Sequence, residues 1–176
     1  MVDDAYAEYV IKKDYKSGLE IFKDFENTVV CRTFSKIFGL ANLRLGWGVA
    51  SSEIIKAANL FRPPFNINGI AEKAGSIALQ DDIWINKNID HNNKWSAIIY
   101  EKIISKNIKT NEPLANFFLL NFEKAKLNSD KAFEIFLNNK ILLRKMDSYG
   151  IKNSLRLTIG TDEENEQFLN ILESNF

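Results

Sequence analysis

Thr33, Ser35, Lys36 and Arg44 are the residues whose types and spacing best suit chemistry. They stand in the run Thr33-Phe34-Ser35-Lys36-Ile37-Phe38-Gly39-Leu40-Ala41-Asn42-Leu43-Arg44-Leu45-Gly46. Lysine can hold a carbonyl compound as an imine. Desolvation and nearby cations favour the neutral, nucleophilic form of such an amine. Hydroxyl donors and the planar fork of an arginine suit a phosphate. The set therefore fits an amine that captures an aldehyde while its neighbours grip a phosphate on the same molecule.

A second group lies near the end, in Ser154-Leu155-Arg156-Leu157-Thr158-Ile159-Gly160-Thr161. Arg156 sits amid alternating apolar residues, as a strand residue facing a cleft would, and a bidentate arginine matches a carboxylate. Arg144, in Ile141-Leu142-Leu143-Arg144-Lys145, is a candidate for binding an anionic substrate such as a phosphate ester.

The elements that must position these groups follow from periodicity. Residues 28–32 form a short β-branched run that predicts a buried strand. Lys36 then falls just past its carboxyl end, where α/β sheets bind ligands. Residues 45–50 predict another strand. Ser51 or Ser52 caps a helix whose Ile54, Ile55, Ala58 and Phe61 share a face, and Pro63-Pro64 stops it. Helical patterns follow over 67–79 and, as one long helix, over 83–108, with Trp95, Ile98, Ile99 and Ile103 on one side. Asn111-Glu112-Pro113 breaks that helix. Strands are expected over 116–122, 141–144 and 154–159, and a short helix over 131–137. Thr161 and Glu164 form a capping box opening a last helix, with Phe168, Leu169 and Leu172 facing inward. This order predicts the end of an α/β domain joined by a helix to a small α+β domain. The expected division is 1–82, a connecting helix over 83–110, and 111–176.

The chain has 176 residues, 45% of them hydrophobic, enough for one sizeable core or a core plus a small lobe. Lysine plus arginine and aspartate plus glutamate balance at 23 each, so no nucleic-acid-binding surface is expected. The single cysteine, Cys31, follows two valines and reads as a buried small side chain in a reducing compartment. The one histidine, His91, has no second histidine or cysteine nearby, so no metal site is expected. No apolar stretch reaches membrane-spanning length. These features set the expectation of a soluble, cytoplasmic protein. Val2-Asp3-Asp4-Ala5-Tyr6 looks like the exit of a buried strand with almost nothing before it, which predicts a fragment lacking its N-terminal half.

The lysine run resembles the cofactor-lysine segment of the fold-type I aminotransferases, which carry pyridoxal phosphate, and within them is most similar to the histidinol-phosphate aminotransferase branch. The resemblance covers essentially the whole chain. It implies a large cofactor-binding domain with a mostly parallel sheet, followed by a small α+β domain. It implies that Lys36 holds the cofactor and that Thr33, Ser35 and Arg44 bind its phosphate. Asp3-Asp4-Ala5-Tyr6 resembles the family motif Asp-Glu-Ala-Tyr, whose first acid pairs with the ring nitrogen and whose tyrosine donates to the ring's phenolic oxygen. By position these are Asp3 and Tyr6. A carboxylate there keeps the ring nitrogen protonated, and a one-residue register slip would hand the task to Asp4. The segment around Arg156 resembles the family's carboxylate-binding arginine strand. Asn42 replaces the glycine commonly found before Leu-Arg. The family's glycine loop, stacking aromatic ring and asparagine lie upstream of this chain's first residue.

The resemblance implies transamination between L-histidinol phosphate and 2-oxoglutarate by a homodimer. The competing expectations are an aromatic or general amino-acid aminotransferase, a phospho-amino-acid decarboxylase of the same fold, and a non-catalytic domain that packs on a partner chain.

Overall fold

The computed structural model describes all residues, Met1–Phe176. They divide into two compact units, Met1–Ile89 and Asp90–Phe176.

The first unit is built on three strands: β1 (Val2–Asp3), β2 (Val30–Thr33) and β3 (Gly46–Val49), in that order across the sheet. β1 runs parallel to β2, and β2 runs antiparallel to β3. Where a mostly parallel sheet is expected, this portion is therefore mixed. The cause is local: the chain leaves Thr33 and returns at its register partner Gly46 without a crossover helix, so the two strands must oppose each other. Helix α1 (Gly18–Asp24), which the periodicity did not reveal, opens with a capping box formed by Ser17 and Glu20. Gly18 permits its close approach to the sheet, since a Cβ there would lie 2.7 Å from Val30 Cγ1 and 3.1 Å from Val2 Cγ1.

Helices α2 (Ser52–Phe61) and α3 (Gly69–Ala78) carry side-chain caps from Ser51 and Asn68. No residue of α2 is buried, so its apolar stripe faces outward within this unit. Phe34, Ile37, Phe38, Leu45, Tyr9 and Ala71 form the unit's apolar cluster.

Helix α4 (Asp82–Ser105) begins where the Asp81 carboxylate accepts the Trp84 backbone N–H at 2.9 Å. The unit boundary falls inside this helix, whereas the sequence reading treats residues 83–110 as a separate connector. Ile85 and Ile89 pack on the first unit's cluster, while Trp95, Ile99 and Ile103 belong to the second unit's core. Ile98, expected on that inward stripe, is exposed, because the buried residues follow a strict four-residue step through 95, 99 and 103.

The second unit holds the antiparallel sheet β4 (Phe117–Asn121), β6 (Ser154–Thr158) and β5 (Arg144–Lys145), ordered β4-β6-β5. Phe118, Leu120, Leu155 and Leu157 alternate onto the core face, meeting Phe136 of α5 (Ser129–Asn138) and Phe168 and Leu172 of α6 (Asp162–Asn175). Phe136 and Phe168 stack at 5.0 Å. The strand expected over 141–144 pairs only at Arg144 and Lys145. Residues 141–143 leave the ladder, and this opens a cleft beside β6. The capping box of Thr161 and Glu164 is present as read.

Candidate active site

The sheet register turns the two N-terminal aspartates to opposite faces. Val2 pairs with Val30 and Asp3 with Cys31, and side chains alternate between faces. Val2, Asp4, Val30, Arg32 and Trp47 therefore share the face covered by α1. Asp3, Cys31 and Thr33 share the other face, and their β3 partners there are Gly46 and Gly48, which contribute no side chain.

Asp4 is 6% exposed and fully engaged. Its Oδ2 accepts from Arg32 Nε at 3.2 Å, Arg32 Nη2 at 2.9 Å and the Gly18 N–H at 3.0 Å, and its Oδ1 accepts from the Tyr15 hydroxyl at 2.5 Å. Arg32 Nη1 also donates to Glu8 at 3.0 Å. Burial, and then the bond to Asp4, push the Tyr15 hydroxyl up to about 12. Both carboxylate oxygens of Asp4 are thus engaged within the fold. Asp3 is exposed, and its only side-chain bond is a turn contact from the Ala5 N–H at 3.2 Å. The sequence signal for this network was Arg32 directly before Thr33, inside a strand, where a charged residue requires a partner.

The lysine segment leaves β2 as a tight loop. Thr33 Oγ1 accepts the Ser35 N–H at 3.0 Å, Gly39 N–H donates to the Lys36 carbonyl at 2.9 Å, and Leu40 N–H returns to the Phe34 carbonyl at 2.9 Å. Phe34, Ile37 and Phe38 are buried, which anchors both sides of Lys36 while its own side chain points out. Its Nζ stands 5.0 Å from the Tyr6 ring centroid. Where desolvation of the amine is expected, Lys36 is exposed in this unit, with the Tyr6 ring beside its amine. Trp84, not singled out from the sequence, donates its indole N–H to the Ile37 carbonyl at 2.8 Å and so ties the loop to the first turn of α4.

Arg44 closes the group. Its backbone is left-handed, with φ 53° and ψ 46°, a conformation disfavoured for a side-chain-bearing residue and concentrated at functional sites. Its Nη1 donates to the Ala41 carbonyl at 2.7 Å and reaches the Ser35 hydroxyl at 3.5 Å. Thr33, Ser35 and Arg44 are thus linked through Ser35. This donor set fits a phosphate; beside it the Lys36 amine stands against the Tyr6 ring, and Asp3 lies on the sheet face that Thr33 shares.

Arg144 and Arg156 belong to the second unit. They are direct register partners on β5 and β6 and so face the same side. Both line a cleft of about 950 Å³, with Lys140, Phe133, Phe168 and Glu164 among its walls. Like charges placed opposite on paired strands repel. Neither arginine has a carboxylate partner; the Arg156 guanidinium lies 5.3 Å over Phe117, that of Arg144 lies 5.1 Å over Tyr149, and Arg156 Nε is buried without a hydrogen-bond acceptor. An orphaned donor beside an unneutralised pair of cations is suited to an anion. His91 accounts for itself structurally, its Nε2 meeting the Gly160 carbonyl at 2.8 Å.

Solved structures define the fold. The chain superimposes on the histidinol-phosphate aminotransferase of Clostridium acetobutylicum with TM-score 0.89 at 23% identity, covering 98% of this chain and 52% of that one. It superimposes on that of Sinorhizobium meliloti, solved in complex with pyridoxal-5'-phosphate, with TM-score 0.82 at 20% identity, covering 98% and 48%. The family model for aminotransferase class I and II matches residues 1–172, and the chain belongs to that family. Among curated relatives, the histidinol-phosphate aminotransferase of Pelagibacter ubique is 46% identical over 177 residues, covering 100% of this chain and 49% of that protein. That of Maricaulis maris is 34% identical, covering 99% and 48%. The chain spans about half the length of the curated relatives it matches.

Proposed function

We propose that this chain forms part of a pyridoxal-phosphate-dependent aminotransferase that moves the amino group of L-histidinol phosphate to 2-oxoglutarate. The observation that carries the reading is the grouping of Lys36 over Tyr6 with the linked Thr33, Ser35 and Arg44 in one unit, in a chain 46% identical to a histidinol-phosphate aminotransferase. When bound, pyridoxal phosphate supplies an electron sink for the substrate α-carbon.

The chain's own residues do the rest. Lys36 Nζ would hold the cofactor aldehyde and would carry the proton to and from the substrate α-carbon. Thr33, Ser35 and Arg44 hold the phosphate. Asp3, on the open sheet face, keeps the ring nitrogen protonated, and Tyr6 donates to the phenolic oxygen. Arg156 orients the carboxylate of one substrate and the phosphate of the other, and Arg144 adds positive charge for the phosphate ester. Leu60, Phe61, Phe65 and Ile70 are highly exposed apolar residues of one segment, and we read them as the contact for a second copy in a cytoplasmic homodimer.

The test uses the full gene product. Borohydride reduction followed by peptide mass spectrometry is expected to place the cofactor on Lys36, and Lys36→Ala is expected to abolish that attachment and nearly all transamination. Normal turnover by Lys36→Ala overturns the assignment. Faster turnover of phenylalanine than of L-histidinol phosphate replaces the donor with an aromatic amino acid.

A further inference from the structure

We infer that Tyr149 is a specificity-determining residue that braces Arg144 and offers its own hydroxyl proton to a phosphate monoester, favouring phosphate-bearing donors over simple carboxylates. This rests on the proposed reading of Arg144 and Arg156 as anion-binding groups.

The backbone places Tyr149. β5 ends at Lys145, and the turn over Asp147–Tyr149 folds the chain back on it. The Tyr149 N–H donates to the Met146 carbonyl at 3.0 Å, and Gly150, at φ 73°, donates to the Asp147 carbonyl at 2.9 Å. Met146 itself is buried and fixes the turn to the unit. Tyr149 is 57% exposed, so apolar burial does not explain its position. What it touches is Arg144. The guanidinium lies 5.1 Å from its ring centroid, and Nη2 donates to the phenolic oxygen.

A phenol oxygen that accepts from a guanidinium still carries its own O–H. No acceptor in the structure takes that proton. The Tyr149 hydroxyl therefore stands beside Arg144 with its proton free, and Arg144 is in register opposite Arg156, whose Nε has no acceptor. A carboxylate has two oxygens, and one arginine fork satisfies both. A phosphate monoester has three terminal oxygens and up to two charges, and so uses the additional donors. The surplus of donors over what a carboxylate requires is the reason to assign phosphate selection to this corner. Tyr149 also restricts Arg144, which otherwise stands on a two-residue edge strand with no ion-pair partner.

The experiment compares wild type, Tyr149→Phe and Arg144→Gln in the full gene product. Each is measured for turnover of L-histidinol phosphate, for the glutamate half-reaction, and for inhibition by inorganic phosphate. Tyr149→Phe keeps the ring and removes only the hydroxyl. It is expected to raise KM for the phosphate donor about tenfold with kcat little changed, to weaken phosphate inhibition in parallel, and to affect glutamate several-fold less, in line with the loss of one hydrogen bond to a charged group. Tyr149→Leu, which also removes the ring beneath the guanidinium, is expected to go further. If Arg144→Gln loses the phosphate donor while Tyr149→Phe keeps it, the inference falls and the arginine reading stands. Equal losses toward both substrates in Tyr149→Phe reduce the residue to a structural brace and also overturn the inference. If neither variant changes phosphate recognition, or wild type accepts no phosphate donor, both readings fall.

Discussion

At the scale of single residues, the two adjacent aspartates do opposite things because they point to opposite faces of one strand. Asp4 is committed to Arg32, whose side chain is 13% exposed, and removing Asp4 leaves that guanidinium with Glu8 alone and takes the acceptor from the Tyr15 hydroxyl and the Gly18 N–H. Asp4→Ala is therefore expected to lower stability by about 3–5 kcal/mol, measured by urea unfolding. Asp3→Asn, by contrast, is expected to leave stability nearly unchanged and to reduce transamination. Tyr15 gives a pH test. Its hydroxyl is raised from 10.0 to about 12 in the folded state, so the neutral form is favoured by folding. That contribution is fully present below pH 10 and is lost as pH rises from 10 through 12. The melting temperature of wild type should fall more steeply over that window than that of Tyr15→Phe; parallel curves would remove Tyr15 from the network. Arg156→Ala should raise KM for glutamate more than it disturbs cofactor binding, as read from equilibrium titration with pyridoxal phosphate.

At the scale of elements, the lysine loop is held at both ends by buried phenylalanines and from one side by Trp84. Trp84→Phe keeps most of the ring and removes the bond to the Ile37 carbonyl, at a cost of about 1 kcal/mol. Hydrogen exchange should accelerate locally at Gly39 and Leu40, whose amides close the same loop, and not across β6. Two helix caps were legible from short patterns alone, Ser51 and the Thr161–Glu164 box, whereas Asn68 and the Ser17–Glu20 box emerge only in the structure. The strand over 141–144 was not. Its apolar run satisfies the pattern for a buried strand, but its residues serve as a cleft wall beside β6. Periodicity reports that a residue seeks cover, and does not say which neighbour provides it.

At the scale of the whole molecule, the largest unexplained feature of the first unit is its outward-facing apolar segment. Phe65 is 99% exposed with φ 57°, a costly conformation for a bulky residue and one that presents its ring to the outside. If this segment contacts a second copy, the double variant Leu60→Ser, Phe65→Ser should shift the full gene product from dimer to monomer by analytical ultracentrifugation while leaving Phe136 and its neighbours protected. An unchanged sedimentation coefficient would place the dimer contact elsewhere. The two units also predict separable stability. Phe136→Ala, which empties the centre of the second core, is expected to cost about 3–5 kcal/mol in that unit and to leave exchange rates in β2 unaltered. No helix is long and apolar enough to cross a membrane.

The sequence by itself determined the chemical inventory. A lysine behind two hydroxyls with an arginine following, and a second arginine in an alternating strand, are local patterns, and local patterns survive in one dimension. Helix starts were equally local, because a cap needs only a side chain and the next turn. Tertiary structure alone decided which aspartate faces the open side of the sheet, since that depends on the register of β1 against β2. It also decided that Arg32 is a buried clamp for Asp4, that Trp84 secures the lysine loop from 47 residues away, and that Arg144 stands opposite Arg156 with Tyr149 against it. Each of these joins residues distant in the chain, and such pairings are set by packing and strand register, which no short stretch of sequence contains.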